Sequence, residues 1–231
     1  MNKIYERLLY GTNIDIDNID KKIYIIESLV DNLLTITKFE KGFLLFEANK
    51  NYFPMINEYK KKYKNNLFSP DAIEFFKSKF RVCDEDNPFG YIYGIDDIKK
   101  LNTDCIFSST FKIDTSSANQ GITDRFDNYY SKNLNNNLIY FGTIINGEIV
   151  SLTNTGPNEL CFKAIGLSYE TLPEHRNKGY AKSNTAATIK YLLNNDFAVV
   201  FDSGTNNIAS VKTCESLGLE KYGCHLTLIA V

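Results

Sequence analysis

One stretch, Tyr169-Glu-Thr-Leu-Pro-Glu-His-Arg-Asn-Lys-Gly-Tyr-Ala181, constrains the fold more than any other. Before it, Ile165, Leu167 and Tyr169 alternate with Gly166, Ser168 and Glu170, the period of a strand with one core face and one small or acidic face. A strand is therefore expected over 160–171. Beyond it, Ala181, Thr185, Ile189 and Leu192 recur at helical spacing, which predicts a helix over 178–194. Arg176, Gly179 and Ala181 stand as R-x-x-G-x-A where the loop becomes that helix. The first N–H groups of a helix lack intrahelical acceptors and carry the positive end of its dipole, so the junction suits a phosphate.

The flanking sequence supplies strands. The β-branched runs 138–145 and 148–153 are joined by Asn146-Gly147, the signal of a two-residue hairpin turn. Residues 197–202 read as a compact strand. Asn207 can cap the next helix, whose apolar stripe Val211, Cys214 and Leu217 runs to Gly218, a helix stop. Two final strands are expected at 219–223 and 226–231. Between the hairpin and a soft boundary near Asn102, 105–113 reads as a strand and 120–134 as a helix.

The first part of the chain reads differently. Ile23, Ile26, Leu29, Val30, Leu33 and Leu34 recur every three or four residues and predict an amphipathic helix over 19–37. A short strand at 43–47, a helix at 53–63, another opened by Pro70 with Ile73, Phe76 and Phe80 on one face, and a short helix at 95–101 follow. The run Lys60-Lys-Lys-Tyr-Lys64 is explained by a solvated helix face opposite Phe53, Ile56, Tyr59 and Tyr63, without a nucleic-acid ligand.

With 231 residues, 43% apolar, the chain can bury an ordinary core, and a net charge of −2 gives no general attraction to nucleic acid or anionic membrane. Acidic residues interrupt the first thirty positions, so no secretory or transmembrane run is expected and the chain reads as cytoplasmic. The five cysteines, Cys83, Cys105, Cys161, Cys214 and Cys224, have no metal-ligand spacing and read as reduced thiols.

With both motifs in place, residues 104–231 resemble the GNAT family of acetyl-CoA-dependent N-acetyltransferases, in the subgroup with an appended N-terminal helical region. The likeness rests on Leu172 to Ala181, and on Asn207-Ile-Ala-Ser210 leading to Ser216-Leu-Gly-Leu219, which is similar to the family's Asn-x-x-Ser helix and closing Leu-Gly-aromatic turn. It implies an α/β (α+β) fold: a mixed, mostly antiparallel sheet flanked by helices and splayed between the strands ending at Thr171 and Asp202. Residues 104–231 would be the catalytic domain and residues 1–103 a mainly helical region shaping the acceptor side.

The resemblance also implies a site. The pantetheine arm of acetyl-CoA would lie in the splay, paired with backbone groups of Tyr169 and Thr171 as an added strand pairs with a sheet edge. Its pyrophosphate would sit on backbone N–H groups of Arg176, Asn177, Lys178, Gly179, Tyr180 and Ala181, with Lys178 and Lys182 reaching outer phosphates. Asn207 and Ser210 would touch the arm, although Asn207 caps its helix in any case. A primary amine of a small molecule or peptide would attack the thioester directly, a reaction that needs a base, an oxyanion donor and a proton for the thiolate.

The backbone N–H at Tyr169 is the implied oxyanion donor. Glu170 is the candidate base, with Glu148 as its alternative; His175 reads as a phosphate-side or surface residue and His225 as structural. The family's proton-donating Tyr, seven residues after the helix-starting Asn, is here Cys214. That cysteine is either a buried member of the helix stripe or a donor, and Tyr180, Tyr222 or solvent can serve instead. Two further readings stay open: a catalytically lapsed CoA-binding regulatory or interaction module, which Cys214 favours, and a tRNA-dependent aminoacyltransferase on a related fold. The expected partners are acetyl-CoA and an amine acceptor, with no nucleic acid, membrane or metal, and a homodimer is among the open oligomeric states.

Overall fold

The computed structural model describes residues 3–10, 12–15, 17–19, 23–28, 33–63, 69, 71, 74–76, 80–82, 89–115, 124–134, 137–156 and 163–230. Its strands are β1 (Ile23–Glu27), β2 (Leu33–Phe39), β3 (Leu44–Ala48), β4 (Phe80–Val82), β5 (Phe89–Ile95), β6 (Thr110–Lys112), β7 (Tyr140–Ile145), β8 (Glu148–Thr155), β9 (Ala164–Thr171), β10 (Ala198–Gly204) and β11 (Glu220–Ala230). The helices are α1 (Lys3–Leu8), α2 (Phe53–Tyr63), α3 (Tyr129–Lys132), α4 (Tyr180–Asn194) and α5 (Ile208–Ser216), with short 3-10 turns at Lys50–Tyr52, Ile98–Lys100 and Pro173–His175. The fold class is mixed α+β with mostly antiparallel strands flanked by helices. No helix among the described residues is long and apolar enough to cross a membrane.

The chain divides into two compact units: Met1–Tyr10, Tyr93–Phe201 and Lys212–Glu220 form the first, and Gly11–Ile92, Asp202–Val211 and Lys221–Val231 the second. β5, β10, α5 and β11 each contribute residues to both.

In the first unit β6, β7, β8, β9 and β10 lie side by side. The first three pairings are antiparallel and β9–β10 is parallel. The β7–β8 turn is the one the sequence promised: Asn146 and Gly147 take φ of 51° and 82°, both left-handed, as a turn matched to strand twist requires. Pairing puts Thr110, Thr143, Ser151 and Thr171 on one face, in register with one another, together with Phe141, Thr153 and Tyr169. α4 covers that face, and the interface is polar. Thr110 and Thr143 donate to the Asn184 side-chain oxygen at 3.3 and 2.7 Å, Ser183 and Thr110 hydroxyls are 2.7 Å apart, and Thr153 meets Thr185 at 3.2 Å. The opposite face is apolar, with Leu152 and Tyr140 buried among Phe126, Leu138, Ile149 and Leu172.

In the second unit the order is β1, β3, β2, β11, with β4 pairing the far end of β11. β1–β3 is parallel and the other pairings are antiparallel. Leu34, Ile36, Phe46, Ala48, Leu226 and Leu228 form one face and pack with Ile56 and Tyr59 of α2, Phe76 and Phe80. Register puts Thr35, Glu47 and Thr227 in one row of the other face, with Thr37, Leu45 and His225 in the next. Gly90 lies against these side chains: a Cβ would fall 2.2 Å from His225 Nε2 and 2.8 Å from an Asp202 carboxylate oxygen, both of which would have to shift.

Several expectations are corrected. The described residues of 1–103 are not mainly helical: five of the strands fall there, and the described parts of 19–37 are β1 and β2. The apolar residues fit a helical period, but Leu34 and Ile36 against Thr35 and Thr37 also alternate with period two, and β-branched side chains favour the pleated surface. Of the helix opened by Pro70, Asp71 and Glu74 are helical, and Phe80, whose N–H donates to the Phe76 carbonyl at 2.9 Å, opens β4; Pro70 and Ile73 lie outside the described residues. The expected strand at 105–113 is only β6, and the described part of the 120–134 helix only α3; the two expected final strands are one, β11, over Glu220–Ala230. The 53–63 helix is α2, with Lys60 to Lys62 on its less buried side and Lys64 outside the described residues.

Two changes test this packing. Asn184→Ala leaves the Thr110 and Thr143 hydroxyls without their shared acceptor in a buried site and lowers the unfolding free energy by about 1–3 kcal/mol in urea titration. Glu47 titrates above the ordinary carboxylate range, mainly because burial penalises its charge, with His225 opposing the shift. A raised carboxyl favours the native state below the ordinary Glu value, and that contribution is lost as pH rises through the native one. Glu47→Gln therefore raises Tm relative to wild type at neutral pH, and the difference closes near about pH 4.

Candidate active site

The site begins where β9 loses a neighbour. β9 pairs with β10 through Ala164, Ile165 and Gly166, opposite Ala198, Val199 and Val200, and with β8 from Leu167 to Thr171. The backbone parity of the strand fixes which edge is which. Leu172 N–H donates to Val150 and the Gly166 carbonyl accepts from Gly156, so the even-numbered residues address the β8 side. The Lys163 carbonyl accepts from Ala198, so the odd-numbered groups address β10. Leu167, Tyr169 and Thr171 continue that edge past the last β10 pair. The Tyr169 ring stacks on Phe201 of β10 at 5.4 Å and 17°.

The strand runs into the phosphate-friendly loop. Leu172 is 1% exposed and anchors the turn in the apolar face; Pro173–His175 makes a 3-10 turn. Arg176 Nε donates back to the Thr171 carbonyl at 3.2 Å, tying loop to strand. Asn177 at φ 61° and Gly179 at φ 83° are left-handed, and Gly179 is the residue before α4. The Ser183 N–H donates to the Gly179 carbonyl, leaving the N–H groups of Tyr180, Ala181 and Lys182 ahead of the first intrahelical bond. A Cβ on Gly179 would be strained by its φ and would lie 3.3 Å from the Phe107 ring. Phe107 is held there by its own N–H, which donates to Ser183 Oγ at 2.8 Å, and packs edge-on to Tyr180 at 5.9 Å. Arg176, Asn177 and Lys178 are exposed, Lys182 half-buried.

Glu170 points to the opposite face from Tyr169. Its two oxygens accept the Asp127 N–H at 2.8 Å and the Asn128 N–H at 3.0 Å. Glu148 and Glu174 both pair with Arg125. Cys214 is 2% exposed, and burial pushes its thiol up to about 12, so it holds its proton and does not readily give it away. Tyr180 is half-buried and lies at the loop. His175 Nδ1 is buried without a partner among the described residues.

Asn207, Ser210, His225 and Tyr222 belong to the second unit. Asn207 caps α5, its side-chain oxygen accepting the Ser210 N–H at 3.2 Å; Ser210 is 5% exposed. His225 Nε2 stands 2.7 Å from an Asp202 oxygen. Tyr222 is buried.

The first unit thus brings together Tyr169, Thr171, Glu170 and Arg176 to Lys182. Sequence reading missed Phe107, Phe201 and Arg125. Phe201 sat in an apolar run, whereas Phe107 and Arg125 act through partners distant in sequence and carry no local signal. No group of three or more metal-ligating side chains occurs among the described residues.

No protein-family model matches the chain, and no curated protein does. Solved structures do. A GNAT-family acetyltransferase from Colwellia psychrerythraea matches at a TM-score of 0.50 and 12% identity, over 85% of this chain and 81% of that one. A conserved protein of unknown function from Staphylococcus epidermidis ATCC 12228 matches at a TM-score of 0.50 and 14% identity, over 72% of this chain and 69% of that one.

The state of Cys214 is directly measurable. Alkylation by iodoacetamide at pH 8 labels Cys214 of the native chain at least about tenfold more slowly than of the urea-unfolded chain, read by peptide mass spectrometry.

Proposed function

We propose, from the GNAT acetyltransferase fold that this chain has, that it is an N-acetyltransferase moving the acetyl group of acetyl-CoA to a primary amine of a small molecule or peptide. The observation that carries the reading is the odd-numbered edge of β9, running past the end of its β10 pairing into a left-handed glycine at a helix start. An extended arm with amides suits the first feature, and a pyrophosphate suits the second. The residues fit the group: Gly179 takes the left-handed φ of 83° that the step into α4 requires, and the α4 N–H groups precede their intrahelical bonds.

Tyr169 and Thr171 would hold the pantetheine arm through their backbone. Arg176, Asn177, Lys178, Gly179, Tyr180 and Ala181 would hold the pyrophosphate, with Lys182 beside them. The bound cosubstrate supplies the activated acetyl thioester. The Tyr169 N–H would steady negative charge at its carbonyl oxygen. Tyr180 is the proposed proton donor in the loop, because the Cys214 thiol is buried and pushed up to about 12. Residues 104–231 would carry this chemistry. The same reading makes the chain a cytoplasmic enzyme without a nucleic-acid partner, consistent with a net charge of −2.

A CoA-binding module without turnover is the second reading, favoured by the Cys at the family's acid position. Two measurements separate the readings. Acetyl-CoA at about 100 times its Kd stabilises the wild type by about 2.7 kcal/mol, seen as a higher Tm. Gly179→Glu or Arg176→Glu abolishes that shift; a shift that persists in both removes the phosphate loop from the site, and its absence in wild type favours the aminoacyltransferase alternative. Free-thiol release from acetyl-CoA should then accelerate with at least one member of a panel of amines, peptides and aminoglycosides. Tight binding without acceleration by any of them supports the module.

A further inference from the structure

Residues 124–132 are fastened at three places, all within the first unit. Phe126 is 1% exposed in the apolar face beside Leu172, the residue that leads from β9 into the phosphate loop. Arg125 pairs with Glu148 at the start of β8 and with Glu174 in the 3-10 turn after β9. Glu170 accepts the N–H groups of Asp127 and Asn128, one on each oxygen. The Lys132 N–H then donates to the Asn128 carbonyl at 2.9 Å, so Glu170 holds the donors at the opening of α3 as an N-cap would, but from a different strand.

This geometry bears on the missing base. Glu170 is the acid that follows Tyr169 on the proposed thioester strand. To take a proton from an amine, its carboxylate must turn an oxygen toward that amine, and here both oxygens face backbone N–H groups. Turning either away strands a donor at the start of α3. Meanwhile the fastened segment lies along the face of β9 opposite α4, at the end of the strand that continues past the last β10 pair. We infer that Glu170 is a positioning residue: it fixes residues 124–132 beside the end of β9, where they form one wall of the acceptor site. Arg125 is the second anchor and links that wall to the turn before the phosphate loop. The acceptor role rests on the acetyltransferase reading; the clamp rests on the Glu170 hydrogen bonds, the Arg125 ion pairs and the burial of Phe126.

Amide hydrogen exchange on the full chain tests the clamp without any acceptor. Glu170→Ala speeds exchange at Asp127 and Asn128 by about tenfold or more, while Glu170→Gln, which keeps one acceptor oxygen, speeds it less. Unchanged exchange at both amides in Glu170→Ala overturns the clamp, and should that variant not fold, Glu170→Gln carries the same comparison. The catalytic arm uses thiol release from acetyl-CoA with the panel amine that wild type accepts. Glu170→Gln raises KM for the amine and keeps the acidic limb of the pH profile. Loss of that limb with KM unchanged overturns the positioning role and makes Glu170 the base. If wild type accepts no amine, the acetyltransferase reading falls while the exchange result still decides the clamp.

Discussion

The site depends on one interruption: β9 and β10 pair as parallel strands at Ala164 to Gly166 and then part. A sheet edge inside a fold leaves polar backbone groups that need partners, because burying them unpaired is costly. β8 keeps pairing with β9 to Thr171, so one row of backbone groups is satisfied and the odd-numbered row is turned to the other side. The chain answers part of that demand itself. Arg176 reaches back to the Thr171 carbonyl, and the Tyr169 and Phe201 rings stack across the parting strands.

The helix that follows the phosphate loop buries polar residues beside its apolar Ala186, Ile189 and Leu192. Ser183, Asn184, Thr185 and Thr188 are all buried, and the Thr188 hydroxyl donates to the Asn184 carbonyl. The partners of Ser183, Asn184 and Thr185 on β6, β7 and β8 are threonines. Hydrogen bonds are directional where dispersion is not, so such an interface fixes the rotation and height of α4 against the sheet. That matters for a site made of backbone N–H groups, whose direction is set by the helix and not by side-chain rotamers. Ser183 joins the two levels: it bonds Thr110 in the interface and the Phe107 N–H at the loop.

Much of the first unit was legible in the sequence because its signals are local. Asn146-Gly147 specifies a turn that needs positive φ twice, and Gly179 specifies a left-handed step before a helix; neither depends on what packs nearby. The helix 53–63 was read at its true bounds, since Ile56 and Tyr59 form a buried stripe. Residues 19–37 failed because short apolar runs fit both periods, and strand pairing with β3 and β11 decided the matter. The Glu170 clamp was invisible for a related reason. A carboxylate that caps a turn 42 positions earlier has the same sequence appearance as a free one.

The central claim is that the odd-numbered edge of β9 and the first turn of α4 form one continuous track for acetyl-CoA. The most direct measurement is a CoA titration followed by backbone amide NMR. The account predicts that the amides of Tyr169, Thr171, Tyr180, Ala181 and Lys182 shift together with a single Kd, while the β7–β8 pairing stays unperturbed. Shifts confined to other elements, or loop amides that respond without those of β9, would contradict it.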